Sequence, residues 1–216
     1  MTTFPGSPKL LRGGLVLIDP STAAVRRVIT LQYNPETLSR SLQVKGIGEG
    51  GDRSEALRLK GPPVETYTLE ANIDATDQLE VSDAQVRQTG LHAQLAALET
   101  LIYPTSAQLL ANDAQARSGT LEIAPMETPL TLFVWSKSRV VPVRITDFSV
   151  TEEAFDPDLN PIRAKVNLTL RVLSVDDLGF DHKGGNLYLA YQQQKEKLAA
   201  LASPGQLGQL GLGGIP

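Results

Sequence analysis

The sequence predicts a mainly β domain of the α+β class. Residues 64–74 and 162–172 alternate apolar and polar side chains, which is typical of strands with one face on a core and one in water. Between Asp83 and Ile102 the apolar spacing changes to three or four residues, which predicts one amphipathic helix that ends before Pro104. Ser82 or Asp83 is expected to cap this helix.

The N-terminal part of the chain predicts a β-hairpin and a loop. Two apolar runs, Leu15–Ile18 and Val25–Tyr33, are joined by residues that favour turns. The second run ends at Asn34-Pro35, which predicts a corner because Pro35 fixes its own φ and lacks a backbone N–H. Residues 44–62 contain five glycines and mixed charges, so we expect a flexible loop there.

The C-terminal part predicts more strands. Residues 130–135 are apolar on both faces, as in a buried central strand, and residues 140–150 change their apolar phase near Thr146-Asp147, which indicates a β-bulge. A polar connection, 104–126, contains a possible short helix at 107–116.

The end of the chain predicts a helix and a tail. We expect Gly184-Gly185 to break the chain before a helix over 186–202, which has Leu187, Tyr191, Leu198 and Leu201 near one side. The glycine- and leucine-rich end beyond it is too apolar for a simple linker and is expected to dock on a neighbour. The predicted organisation is a flexible N-terminus (1–9), a β domain (10–183), and a helix with its tail (184–216).

Composition excludes several classes of protein. The chain has 216 residues, no cysteine and a formal net charge of −4, so we expect no disulfide, no thiolate metal site and no nucleic-acid partner. It has neither a run of about 18 apolar residues nor a basic, apolar N-terminus, so we expect no membrane insertion and no secretory signal. Assembly in the cytoplasm is the simplest expectation.

The sequence gives no pointer to catalysis. It lacks Gly-x-Ser-x-Gly, and the paired carboxylates at 152–153 and 176–177 fall in expected turns. We expect His92 and His182 to be surface residues without metal partners, and the acidic residues of 74–80 match no calcium loop. The expected sets of catalytic, cofactor-binding and metal-binding residues are therefore all empty, and the protein is not expected to be an enzyme.

Two proline corners and the order of elements resemble a known family. Residues 33–38, Tyr-Asn-Pro-Glu-Thr-Leu, and residues 155–166, which contain Asp-Pro-Asp-Leu-Asn-Pro, are similar to segments of contractile injection system tube-domain proteins. The resemblance spans about residues 10–175. It implies a tube-like antiparallel β-sandwich or split barrel with one flanking helix, subunits that close into hexameric rings, and a structural role in a phage-tail-like particle.

Within that family the Asn-Pro-Glu-Thr-Leu start resembles the baseplate tube initiator, or hub adaptor. This implies a ring that connects the spike or hub protein to the inner-tube protein and starts tube assembly, with baseplate wedge or sheath proteins as further partners. Relatives of that adaptor often carry a LysM module, and no convincing one is present here. Two alternatives stay in the same particle, a main inner-tube subunit and a tube terminator or cap. A free-standing β-rich ligand-binding module is the alternative from another class.

The candidate interface residues come from the two corners, the basic strand after the second corner, and the tail. They are Asn34, Pro35, Thr37, Leu38, Asn160, Pro161, Arg163, Lys165, Leu210 and Leu212. The alternating basic residues of the strand fit either a solvated outer face or a tube lumen or subunit contact, and the sequence favours neither. The particle is expected to act inside the cell or after release.

Overall fold

Seven antiparallel strands form one sheet in the order β2-β1-β5-β6-β7-β4-β3. The computed structural model describes residues 11–46, 59–80, 83–119 and 128–215. The strands are β1 Gly14–Ile18, β2 Val25–Thr30, β3 Leu38–Gln43, β4 Val64–Asp74, β5 Leu130–Ser136, β6 Arg139–Phe155 and β7 Pro161–Val172. The helices are α1 Thr76–Glu80, α2 Ala84–Thr89, α3 His92–Glu99, α4 Ser106–Arg117, α5 Val175–Leu178 and α6 Lys183–Ala200, followed by a 3₁₀ turn at Leu207–Leu210.

The sheet curls until its two halves share one core. Tyr67 on β4 and Phe133 on β5 have ring centroids 5.4 Å apart, although β6 and β7 lie between their strands. In a flat sheet three strand spacings would separate them by about 14 Å. Both rings are fully buried, and leucine and valine side chains of β4, β6 and β7 pack around them. The predicted mainly β fold of the α+β class is confirmed, as one curved antiparallel sheet.

The predicted hairpin and bulge are confirmed. Strands β1 and β2 pair antiparallel from Gly14↔Thr30 onward, and the β6–β7 register shifts between Ile145 and Asp147. The extra residue at this shift, Thr146, donates its hydroxyl hydrogen to the backbone oxygen of Thr169 at 3.2 Å. The bulge explains why the apolar phase of β6 slips while its partner β7 keeps a strict alternation.

The predicted single helix over 83–102 is wrong, because the chain turns at Gly90 between α2 and α3. Gly90 has φ +52°, and a Cβ there would lie 2.5 Å from the backbone oxygen of Pro161. That oxygen accepts a hydrogen bond from Leu91 N at 2.9 Å. Asp83 caps α2 as predicted, accepting from Gln85 N and Val86 N. The turn between α2 and α3 thus docks on the second proline corner.

Helix α4 forms over the segment that the sequence predicted as a possible short helix at 107–116. Thr105 caps α4 through a reciprocal pair of hydrogen bonds with Gln108. In the described part of the chain no helix is long and apolar enough to cross a membrane.

Helix α6 begins earlier than predicted and buries a different face. Gly184 and Gly185 do not break the chain: they form the buried first turn of α6. Tyr188 and Tyr191 continue the buried stripe, whereas Leu198 and Leu201 are exposed by 47% and 80%. The glycines allow the helix start to contact the α5–α6 turn, and this contact sets which side of α6 meets the sheet.

Candidate interaction surfaces

The strands β3, β4, β7 and β6 present one continuous polar face, here called the polar sheet face. Residues directly opposite one another in antiparallel pairs point to the same side of a sheet, and the registers align polar residues row by row across the four strands. The members are Ser39 and Ser41; Thr66, Thr68, Glu70, Asn72 and Asp74; Arg163, Lys165, Asn167, Thr169 and Arg171; and Arg144, Asp147, Ser149, Thr151 and Glu153. Four members are acidic and four are basic, so this face carries no net charge.

The predicted basic row of β7 is neutralised within the chain. Arg163 Nε lies 2.8 Å from Asp74 Oδ2, and Lys165 Nζ lies 2.8 Å from Glu153 Oε1. Arg171 reaches Asp177 at 2.6 Å. The hydrogen bond that Lys165 donates to Glu153, together with the negative charge of Glu153, raises the pKa of Lys165 above its usual value. Arg163 and Lys165 are largely solvated, so their two pairs contribute little to stability. The face is polar rather than basic.

The first corner has an internal structural role. Asn34 Oδ1 accepts a hydrogen bond from Gly13 N at 2.9 Å, and its Nδ2 donates to Leu11 O at 2.8 Å. The side chain therefore ties the corner to the segment that enters β1. Pro35 and Leu38 are half-buried and Thr37 is exposed.

We expect Asn34→Ala to destabilise the monomer by about 1 kcal/mol, because two backbone groups lose their partner. Glu36→Ala, an exposed change at the same corner, is the matched control and should be neutral. Urea unfolding of both variants measures the difference. An Asn34→Ala protein as stable as the control would contradict this structural role.

The second corner is a preorganised hairpin tip. Asp156 Oδ1 accepts from Asp158 N and Asn160 N, both at 2.8 Å, and its Oδ2 accepts from Asn160 Nδ2 at 2.9 Å. The side-chain and backbone hydrogen bonds from Asn160 lower the pKa of Asp156. Leu159 adopts φ +65° and is 76% exposed at the tip. Pro161 is fully buried within the chain, so its side chain does not reach the surface.

The structure brings part of the predicted set together. A groove of about 300 Å³ joins Tyr33, beside the first corner, to Asp74, Arg163 and Lys165. Leu210 and Leu212 lie apart from it, on the exposed tail. Whether these residues form interfaces between subunits stays a prediction.

A buried polar cluster was not predicted from the sequence. Glu65 on β4 is only 2% exposed, and its Oε1 accepts hydrogen bonds from the hydroxyls of Tyr67 and Tyr191, each at 2.7 Å. The two hydroxyls lie 2.8 Å apart, and Lys195 Nζ lies 3.1 Å from Glu65 Oε2. The sequence did contain a signal for this cluster. Glu65 is an acidic residue at one of the alternate positions of β4 whose other side chains point to the core. The cluster fastens α6 to the sheet.

The charge state of Glu65 follows from competing effects. Burial alone would raise its pKa, but hydrogen bonds from Tyr67 and Tyr191 and the charge of Lys195 outweigh burial, so the pKa lies below its usual value. Burial, together with hydrogen bonds to Tyr67 and Glu65, raises the pKa of Tyr191. The stable arrangement is an ionised carboxylate between two protonated phenols.

This arrangement predicts a specific pH dependence of stability. A carboxyl group whose pKa is lower in the folded state stabilises the protein above its unfolded pKa of about 4.3, and this contribution is lost as pH falls through the folded pKa. Glu65→Gln should therefore be less stable than the unmodified chain at neutral pH, and the difference should shrink below about pH 4. Urea unfolding across this range tests the prediction; a difference that stays constant with pH would contradict it.

The structure also places the paired carboxylates and the two histidines that the sequence singled out. Glu152 and Glu153 lie in β6, so the expected turn is wrong, whereas Asp176 and Asp177 lie in the short helix α5. His92 is exposed as expected. His182 is half-buried and caps α6, because its Nδ1 accepts a hydrogen bond from Gly184 N at 3.0 Å. Within the described ranges no group of three or more His, Asp or Glu residues is placed to hold a metal ion.

Comparison with known proteins identifies a matching family, and solved structures also match the chain. A family model described as "contractile injection system tube protein" matches residues 18–178. No curated protein matches the chain. Among solved structures, a chain from the tail of an empty GTA particle, computed with helical refinement and C6 symmetry, is 10% identical, with a TM-score of 0.29. That match covers 74% of this chain and 90% of the neighbour.

Proposed function

Since this chain belongs to the contractile injection system tube protein family, and is thus a structural tube protein of a phage-tail-like particle, we propose that it forms a hexameric ring. The ring would connect the spike or hub protein to the inner-tube protein and initiate tube assembly. The sixfold copy number is what the family resemblance implies. Baseplate wedge or sheath proteins are proposed as further neighbours, and assembly would take place in the cytoplasm.

The observation that carries the proposal is the polar sheet face. From Thr66 to Asp74 of β4 its rows continue over the neighbouring strands without an apolar member, and its four acidic and four basic residues balance. A channel wall needs water-compatible side chains that do not retain the passing cargo by net charge. We infer that this face lines the channel of the ring. The opposite side of the sheet is unsuitable, because it holds the core and the helices.

The place at the spike end is supported by the first corner. Residues 34–38, Asn-Pro-Glu-Thr-Leu, are the part of the chain that resembles tube initiators, and Thr37 and Tyr33 are exposed there. Asn34 holds the corner in a fixed shape through Gly13 and Leu11. This corner lies beside the groove at Arg163 and Lys165. Because its shape is already fixed, it would lose little conformational entropy on contact with a neighbouring ring.

No catalytic function is proposed. Asp74 and Glu153 are engaged in ion pairs, and Asp156 is engaged in the hydrogen bonds of a turn.

The mass of the purified protein in solution, alone and co-expressed with the spike protein of the same particle, tests the proposed function. We expect rings of six that form most readily with the spike. Long tubes that form without a spike would contradict the initiator role and assign the chain to the main tube. A monomer that does not bind the spike would contradict ring formation itself and favour a free-standing binding module.

A further inference from the structure

Two unpaired strand edges face each other across a cleft of about 470 Å³. Strand β4 pairs with β3 only from Val64 to Leu69, and β2 pairs with β1 alone. Among the described strands none pairs with β2 on its other side or with β4 beyond Leu69 on the β3 side. Consecutive residues line both walls, 27–32 on one side and 71–73 on the other. Consecutive lining residues indicate that the strands present their backbone edges to the cleft.

At one end of the cleft, a side-chain amide already fills the place of a strand. Gln32 Nε2 donates to Asp74 O at 2.7 Å, and Gln32 Oε1 accepts from Asp74 N at 2.9 Å. This reciprocal pair imitates the bonds that a peptide group of an added strand would make with β4. It demonstrates that the edge of β4 accepts an amide partner from the direction of β2.

The helix wall of the cleft contains an unsatisfied acceptor. Gln94 Oε1 on α3 is buried and has no hydrogen-bond partner among the described residues, while its Nε2 reaches Gln78 Oε1 at 3.4 Å. Buried polar atoms are rarely left without a partner. Both glutamines line the cleft, so a chain with free N–H groups that entered it could supply the missing donor.

The C-terminal tail has the composition of such a strand. Leu210 and Leu212 alternate with Gly211 and Gly213, which in an extended chain gives one apolar face and one face without Cβ atoms. Residues 201–215 are all exposed, so this segment is not covered by its own chain. If the 3₁₀ turn at Leu207–Leu210 opens, residues 204–215 fully extended could span about 40 Å, which is enough to reach an adjacent subunit.

We propose that in the ring the tail of a second copy of this chain enters the cleft between β2 and β4 as an added strand. The occupant pairs with both free edges, places Leu210 and Leu212 toward the apolar floor at Ile29 and Leu98, and provides N–H groups near Gln94. Each subunit would thereby be completed by a neighbour, as in β-strand addition. The inference rests on the proposed ring, because a separate monomer offers no second tail.

The absence of native cysteine permits a clean crosslinking test. One preparation carries Val28→Cys, at a position that lines the cleft and is 57% exposed. Leu210, which is 74% exposed, becomes Leu210→Cys in another. The two single variants are mixed, assembled into rings and oxidised, and disulfide-linked dimers are measured by mass. The matched control replaces Val28→Cys with Ser138→Cys, at an exposed turn away from the cleft.

We expect disulfides between the cysteines at positions 28 and 210 of different chains to form in much higher yield than disulfides between positions 138 and 210. The double variant Val28→Cys/Leu210→Cys should give covalently linked chains of ring size. Rings that form normally but show no excess over the control would overturn the tail exchange and leave the proposed function intact. Bridges within single chains of the double variant would also overturn it, because the tail would then fill its own cleft. An unmodified chain that forms no ring would contradict the proposed function and the exchange together.

Discussion

Gly185→Ala is expected to destabilise the protein by about 3 kcal/mol, because the added methyl group has no room. A Cβ at this position would lie 1.9 Å from the backbone oxygen of Gly179, which cannot move like a side chain. The start of α6 would have to shift away from the α5–α6 turn, and the buried stripe of Tyr188 and Tyr191 would shift with it. Urea unfolding, followed by circular dichroism, measures the loss.

The matched control for this prediction is Gly208→Ala in the tail, where an added Cβ meets nothing within 4 Å. This variant should unfold at the same urea concentration as the unmodified chain. Equal stability of Gly185→Ala and Gly208→Ala would show that the contact between Gly185 and Gly179 does not fix the position of α6.

Tyr191→Phe is expected to cost about 1–3 kcal/mol, because it removes one hydrogen bond to the buried carboxylate of Glu65. The ring remains, so the loss is that of the hydroxyl group. Tyr188→Phe is the control on the same helix: Tyr188 is equally buried, and its hydroxyl makes no hydrogen bond to the described residues. That change should cost less than about 0.5 kcal/mol.

A Tyr191→Phe protein no less stable than Tyr188→Phe would contradict the account of the buried cluster. Both changes remove one oxygen atom from a buried tyrosine of the same helix and leave the ring in place. The difference between their free energies of unfolding therefore reports the hydrogen bond to Glu65 rather than packing. Thermal unfolding at neutral pH, where Glu65 is ionised, gives the clearest comparison.

The strands were predictable where one face is buried and the other solvated. Strands β4 and β7 match their predicted bounds to within a residue, because each alternates over more than ten residues. The bulge in β6 was equally visible, since a phase change in one strand has few other causes. Strand β3 gave no such signal: four of its six side chains are polar, and it lies at the edge of the sheet.

The errors in the helices come from contacts that sequence spacing does not encode. Gly90 ends α2 because Pro161, seventy-one positions later, lies against it. Gly184 and Gly185 start a helix, although glycine disfavours helices, because the α5–α6 turn requires close approach. In both places a tertiary contact determined the outcome over local propensity.

The candidate surfaces were only partly predictable. Alternation identified Arg163 and Lys165 as members of a polar face, but their acidic partners Asp74 and Glu153 lie on the two neighbouring strands and become visible only through the register. The cleft between β2 and β4 could not be predicted, because it exists only when the sheet curls. Glu65 was detectable in principle as a charge in the buried phase of β4.

The measurement that most directly tests the central claim is an electron cryomicroscopy map of the assembled ring. The account predicts a closed ring in which Thr68, Asn167 and Ser149, at the middle of the polar sheet face, point into the channel. A ring in which these residues lie on its outer surface, or a protein that never assembles with the spike, would contradict it.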